Sequence, residues 1–300
     1  MTKSDAKLLH VDASTWKSGV IQGVKHGLVG HPSLQMDALL ALAKRLPASQ
    51  VRINSGHVPI NTDLHTIGVK HSTGRGIDET FAHIESAGSF VFLQSVQTDP
   101  EYRRLVDSVL DEVQEMVEAQ EGPMSYREGW IFVSSPGIIT PYHRDQETNF
   151  LLHCQGKKTV SVFPVDDLAV VSHEESEIFH GEHHLRATIH TEEKQKRAEV
   201  FELEPGMGAY MPYSAPHWVK NGDQVSITFS ATYHTAASKR RKNVYKMNYK
   251  LRQQGKSPVG FGVKPWLDSM KNQAVLAGLA MDGIKGRLRG KRPVADPRYS

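Results

Sequence analysis

From residue 126 the chain is cut into short β-rich runs: GWIFVSS, NFLLHC, KTVSVFP, VFELEP, GAYMPY and QVSITFSATYH. Gly, Pro and Asp stand between them. Runs this short cannot build a core alone. Each must pair with strands far away in sequence, and many such strands with turn signals between them predict a sandwich or barrel. The expected class is mainly β with flanking helices, a jelly roll or double-stranded β-helix. Three segments follow from the change of character along the chain: 1–125, a mixed α/β part that flanks and extends the barrel; 126–237, the jelly-roll core; and 238–300, a basic helical region. Residues 166–198 interrupt the core with a polar, charged insertion carrying His173, His180, His183, His184 and His190. A loop of that length is functional or mobile.

In the first segment, HPSLQMDALLALAKRLPAS places Leu39, Leu42 and Leu46 at helical spacing after Pro32. IDETFAHIESA offers Asp78 as a helix cap. SFVFLQSV, 89–96, predicts a strand. TDPEYRRLVDSVLDEVQEMVEA predicts a long helix, with Pro100 in its first turn and Leu105, Val109, Val113 and Met116 in one stripe. Such stripes read as core packing.

The single cysteine, Cys154, rules out an internal disulfide framework and suits a reducing compartment. The N-terminus has no apolar stretch of signal-peptide type, and the run AVLAGLAM at 274–281 is far short of a membrane span. A cytoplasmic protein with no membrane contact is expected. The net charge of +3 hides an asymmetry: residues 238–300 hold 16 of the 36 Lys and Arg but 3 of the 33 Asp and Glu. That region could be a nucleic-acid arm, or a helical element whose charges meet solvent or the acidic remainder. Val244, Met247 and Leu251 form a stripe there, and Trp266, Leu267 and Met270 open a second helix. A phosphate-binding tail has no need of so much apolar surface, so packing on the barrel or on a second subunit is favoured.

The stretch TPYHRDQETNFLLHCQGKK, 140–158, sets His143 and Asp145 two apart on what reads as one strand, so that both side chains face the same way. One His-x-Asp is about what chance gives a chain with 16 His. The pair gains weight from His217, which opens another predicted strand after a Pro-rich turn. Two imidazoles and a carboxylate on one face of a metal leave positions open, as in non-haem Fe(II) oxygenases. In GKKTVSVFP, Lys158 shares a face with Val160 and Val162; an inward ammonium calls for a partner such as a bound dicarboxylate, unless its long stem reaches water at the barrel mouth. Thr140 and Asn149 are small hydrogen-bonding groups near the pair. Tyr213 and Trp218 flank His217 and suit either a substrate mouth or aromatic barrel packing. HGEHH, 180–184, suits a solvated lid loop better than a second metal site, since it lacks the ligand framework of structural zinc.

These residues together resemble the jumonji C (JmjC) branch of the 2-oxoglutarate oxygenases, within the cupin superfamily, and among its members the asparaginyl hydroxylases. The likeness runs without gaps from Thr140 to Lys158 and resumes in AYMPYSAPHWVKNGDQVSITFSATY, within residues 128–235. The first segment is similar to the leader of bacterial cupin-like proteins. The resemblance implies that His143, Asp145 and His217 hold Fe(II), that Thr140 and Lys158 bind the distal carboxylate of 2-oxoglutarate, and that Asn149 lines the co-substrate pocket. Ser230 stands where those hydroxylases carry an Asn, and Glu147 where they carry a substrate-facing Gln. Metal and 2-oxoglutarate survive both changes; asparaginyl specificity does not. The implied activity is a dioxygenase that uses O2, decarboxylates 2-oxoglutarate to succinate and hydroxylates or demethylates a substrate that the sequence does not identify; a small molecule or peptide is favoured over a modified RNA base or a lipid precursor. Self-association through C-terminal helices, as a homodimer, is implied as well. Two alternatives stay open at this point: a cupin metalloenzyme that does not use 2-oxoglutarate, and a non-catalytic cupin-like regulator or nucleic-acid binder.

Overall fold

A computed structural model describes residues 7–63, 67, 73–182 and 189–288, with side chains up to 282. Twelve strands are described: β1 (Leu9–His10), β2 (Gln22–His26), β3 (Val51–Ser55), β4 (Ser89–Leu93), β5 (Ser125–Ser134), β6 (Ile139–His143), β7 (Thr148–Gln155), β8 (Lys158–Val162), β9 (Glu199–Leu203), β10 (Met207–Met211), β11 (His217–Asn221) and β12 (Ser226–His234). They form two antiparallel sheets. The larger has the order β1-β2-β10-β7-β12-β5-β4-β3 and the smaller β6-β11-β8-β9. From β5 to β12 the chain passes back and forth between the sheets, and strands far apart in sequence become neighbours. The order 5-12-7-10 facing 6-11-8-9 is that of a double-stranded β-helix. The first segment lengthens the larger sheet at both edges, with β1 and β2 beyond β10 and β3 and β4 beyond β5.

Strand β12 shows why the larger sheet sits as it does. Ile227, Phe229, Ala231 and Tyr233 alternate with Ser226, Thr228, Ser230, Thr232 and His234, and every one of them is buried. The apolar set joins Phe150 and Leu152 of β7 and Ile131 and Val133 of β5 in the main core. That core is covered by α1 (Met36–Arg45) and α3 (Pro100–Glu121), whose Leu39, Leu42, Leu105, Val109 and Val113 are buried in it. The polar set faces the smaller sheet. The barrel interior is therefore apolar on one wall, where Val160, Val162, Val219 and Leu203 meet Leu151 and Met211, and hydroxyl-rich on the other. Helix α2 (Ile77–Ala82) is capped by Gly76, not by Asp78, which lies inside the first turn and pairs with Lys44 at 2.5 Å.

The insertion between β8 and β9 is not a bare loop. It carries α4 (His173–Glu182) and the short α5 (Glu192–Gln195). Gln195 accepts from the Trp218 indole at 2.9 Å and reaches Ser161 at 3.3 Å, so this segment covers the smaller sheet. Helix α4 packs on α6 (Ala236–Gln253), tied by Glu177 to Arg252 at 2.6 Å. The buried positions of α6 are Ser238, Val244, Tyr245 and Asn248, so its inner stripe lies one position off the expected Val244, Met247 and Leu251. The last helix, α7 (Pro265–Leu288), packs on α6 but leaves Trp266, Met270 and Met281 more than half exposed. No helix among the described residues is long and apolar enough to cross a membrane.

Candidate metal and co-substrate site

The expected single strand from Thr140 is two strands. β6 ends at His143, the chain crosses to the other sheet through residues 144–147, and β7 begins at Thr148. Asp145 thus lies in the crossing and not on a strand. It still meets both imidazoles: its carboxylate oxygens are 3.6 Å from His143 Nε2 and 3.5 Å from His217 Nε2. His143 and His217 are directly opposite in the β6–β11 pair, with ring centroids 4.1 Å apart. One ligand atom from each of the three residues lies within 4.8 Å of the others.

Both imidazoles are oriented from behind. His143 Nδ1 is 2.7 Å from the Pro141 carbonyl and His217 Nδ1 is 3.1 Å from the Ala215 carbonyl. A carbonyl only accepts, so each Nδ1 carries the proton and each Nε2 presents a lone pair toward Asp145. Burial pushes both histidines down to about 4, so they are neutral at physiological pH. Burial raises Asp145 above the usual carboxylate range. The contacts between them are therefore not ion pairs. Two neutral donors and a carboxylate, crowded together with fixed tautomers, form a ligand set that fits a divalent metal.

A bulge in β6 places a second residue on the same wall. His217 is opposite His143 but Val219 is opposite Thr140, so β6 spends three residues where β11 spends two. Thr140 and His143 consequently share the inner face with Val219 and Val160. Further along, Asn221 is opposite Lys158. Lys158 is 5% exposed, facing inward with Val160 and Val162 as the alternation of β8 predicts. The turn that delivers it depends on Gly156, whose φ is +80° and whose absent Cβ would come within 2.5 Å of the Val225 carbonyl oxygen. Burial lowers the Lys158 ammonium to about 7. Among the described residues it has no carboxylate within 4 Å.

The opposite wall carries the remaining residues. Asn149 is opposite Met211 and Thr232, and Ser230 is opposite Leu151 and Trp130. Asn149 Oδ1, Ser230 Oγ and Trp130 Nε1 are buried without a hydrogen-bond partner. At the end of the barrel that carries His143 and His217, Glu147 lies 4.0 Å from His234 Nε2 and is pushed up to about 8, chiefly by burial and then by Asp145. Sequence reasoning missed Trp130, Thr232, His234 and Asn221 as wall residues. The polar alternation of SITFSATYH carried the signal for two of them. His180, expected in a solvated lid, is fully buried between Tyr213 and Tyr245, at ring distances of 5.6 and 5.5 Å. His183 and His184 lie outside the described residues. Trp218 is half-buried on the outer side of the smaller sheet, under Gln195, while Tyr213 is buried between His180 and His234, at ring distances of 5.6 and 6.0 Å.

No family model matches the chain, and no curated protein matches it. Among solved structures it is similar to YcfD of Escherichia coli, at 15% identity over 86% of this chain and 64% of that one, with a TM-score of 0.47. The ribosomal oxygenase YcfD in complex with cobalt and 2-oxoglutarate gives 17% identity, 87% and 63% coverage, and a TM-score of 0.46. A DMSP lyase, DddQ from Ruegeria pomeroyi, matches over 36% of this chain and 38% of that one, at 11% identity and a TM-score of 0.24. The chain spans less than two thirds of the length of these proteins. Identities this low leave the functional reading to the site itself.

Proposed function

We propose that this chain is an Fe(II)/2-oxoglutarate-dependent oxygenase of the jumonji C type, acting on a small molecule or a peptide. The reading rests on one observation above the others: two neutral imidazoles, each held by a backbone carbonyl through Nδ1, face one carboxylate at the mouth of a double-stranded β-helix. His143, Asp145 and His217 would hold Fe(II). The chemistry such a centre supplies when loaded is the coupling of 2-oxoglutarate decarboxylation, giving succinate and CO2, to oxygen transfer from O2 into a C–H bond.

The protein's own part is binding, orientation and exclusion of water. Lys158 is four residues along its strand from Val162, the neighbour of His217, which is about 13 Å of strand. A lysine stem pointing back along the barrel leaves room for a short dicarboxylate between its ammonium and the metal. Thr140 Oγ1 lies on the same wall, and Asn149 and Ser230 offer unpaired polar atoms from the opposite one. The apolar wall of Val160, Val162 and Val219 keeps the space dry and strengthens each of these contacts. Glu147 and His234 border the side left for the substrate. The exposed face of α7, with Trp266, Met270 and Met281, supports a homodimer whose partner covers it.

Anaerobic titration with Fe(II) and 2-oxoglutarate tests the reading. A visible charge-transfer band should develop with one equivalent of each and be absent in Asp145→Ala. Full-strength metal binding by Asp145→Ala would overturn the triad. An intact metal site with no response to 2-oxoglutarate would instead support a cupin metalloenzyme of another kind.

A further inference from the structure

Arg144 sits between two of the proposed ligands and points the other way, out of the barrel and under α4. It is fully buried. Its Nε donates to the Ser214 carbonyl at 3.0 Å, and Nη2 to Ser214 Oγ at 3.2 Å and Ser176 Oγ at 3.3 Å. Its guanidinium carbon lies 4.3 Å from the centre of the Phe179 ring. Every partner is neutral, and among the described residues no carboxylate lies within 4 Å. The neighbouring Arg241 is already paired with Asp166. A desolvated cation costs several kcal/mol, and a cation–π contact offsets about 1–2 of them.

Buried polar atoms without a partner recur around Arg144. Arg144 Nη1, both ring nitrogens of His180 and the Tyr213 hydroxyl are buried with no hydrogen-bond partner. The residues that carry these atoms are linked through their neighbours. Arg144 binds Ser214, the residue after Tyr213; Tyr213 stacks on His180 at 5.6 Å; His180 contacts Phe179 at 4.8 Å; and Phe179 carries the Arg144 guanidinium. A neutral His180 donates one N–H. Arginine, tyrosine and histidine thus offer three kinds of donor around a buried, uncompensated positive charge.

We propose that Arg144, His180 and Tyr213 form a buried site for a small monovalent anion of halide size, chloride being the ordinary occupant. A water molecule would satisfy the hydrogen bonds but not the charge. The site lies on the outer side of the crossing that carries Asp145 and of the turn that leads to His217. Its occupant neutralises the strut that holds those two segments together, and the assignment stands independently of which metal the triad binds.

Crystals of the full-length chain grown in sodium bromide and measured at the bromine edge should show an anomalous peak within hydrogen-bond distance of Arg144 Nη1 and Tyr213 Oη. In solution, the Tm should be higher in chloride or bromide than in gluconate at matched ionic strength, by about 2–5 °C. Arg144→Met should abolish that difference. Tyr213→Phe, which keeps the ring and loses the donor, should weaken apparent bromide affinity several-fold and carries the test if Arg144→Met does not fold. The absence of a peak, a Tm indifferent to the anion, or a halide effect unchanged in both variants would each overturn the proposal. So would a peak without any effect in solution, which would mean binding at crystal concentration only.

Discussion

Replacing Lys158 by Met tests the proposed co-substrate pocket in both the empty and the loaded protein. The buried ammonium falls from an ordinary 10.5 to about 7 because burial penalises its charge. Between pH 7 and 10.5 the unfolded chain holds this lysine protonated and the empty folded protein does not. The unfolded state then binds more protons, so stability rises with pH across that window, and below pH 7 the penalty is nearly complete. At pH 8 the penalty is up to about 3 kcal/mol. Lys158→Met keeps the stem and removes the charge, so the empty variant should be more stable than the parent, with a Tm higher by at least about 3 °C.

The loaded state should respond in the opposite direction. A charge-assisted hydrogen bond to a carboxylate contributes about 1.5–3 kcal/mol, so Lys158→Met should bind 2-oxoglutarate about 10- to 150-fold more weakly. Pairing with a carboxylate also restores the proton. At pH 8 the empty site holds about one-tenth of it, so binding should take up about 0.9 proton per 2-oxoglutarate. Calorimetry with Mn(II) in place of iron, in two buffers of different ionisation enthalpy, reads affinity and proton uptake together. An unchanged affinity in Lys158→Met, with heats independent of buffer, would remove 2-oxoglutarate from this pocket.

Three further outcomes are expected. Asp145→Ala should lose Mn(II) binding at least about 100-fold, read by electron paramagnetic resonance, while its metal-free Tm stays within a few degrees of the parent, because the carboxylate removed is itself disfavoured by burial. Acid should unfold the metal-free protein early. His143 and His217 are held down to about 4, and His153 and His234 to about 3, mainly by burial, so below pH 6.5 the unfolded chain binds protons that the folded one refuses. The four together remove up to about 5 kcal/mol per pH unit near pH 5; urea titrations that stay flat from pH 6.5 to 4.5 would contradict this. Met270→Glu should convert the expected dimer to monomer in sedimentation, with little change in secondary structure.

What was legible in the sequence was local alternation. The short β-rich runs became strands because a two-residue period settles which side of a sheet each residue faces, and Lys158 is buried for that reason alone. What was not legible was where the chain changes sheets. TPYHRDQETNF reads as one strand because no Gly or Pro marks the crossing after His143; the polar residues 144–147 make it, with Arg144 anchored to Ser214 of a distant turn. The insertion misled in the same way. HEESEIFHGE is polar enough to look solvated, yet Ser176, Glu177, Phe179 and His180 are buried because α6 lies 60 and more residues further on. Composition reports the average environment of a segment and not its one covered face.

Dependence on distant parts of the chain also turns a weak sequence pattern into a well-defined site. His143 and Asp145 two apart carry little information, since a strand end and a crossing residue need not converge. Their meeting is imposed from outside the motif. β11 lies beside β6 only because β7 to β10 turn the chain through both sheets and back, and that path sets His217 opposite His143. The Pro141 and Ala215 carbonyls then fix each ring from behind. Three residues separated by up to 74 positions thus depend on the whole barrel for their spacing. A lesion in the Arg144–Ser214 contact, which no motif contains, should therefore disturb metal affinity more than a conservative change in Thr140 beside the ligands. Comparing Mn(II) affinities of Arg144→Lys and Thr140→Val decides it: the larger loss in Thr140→Val would mean that the site is organised locally after all.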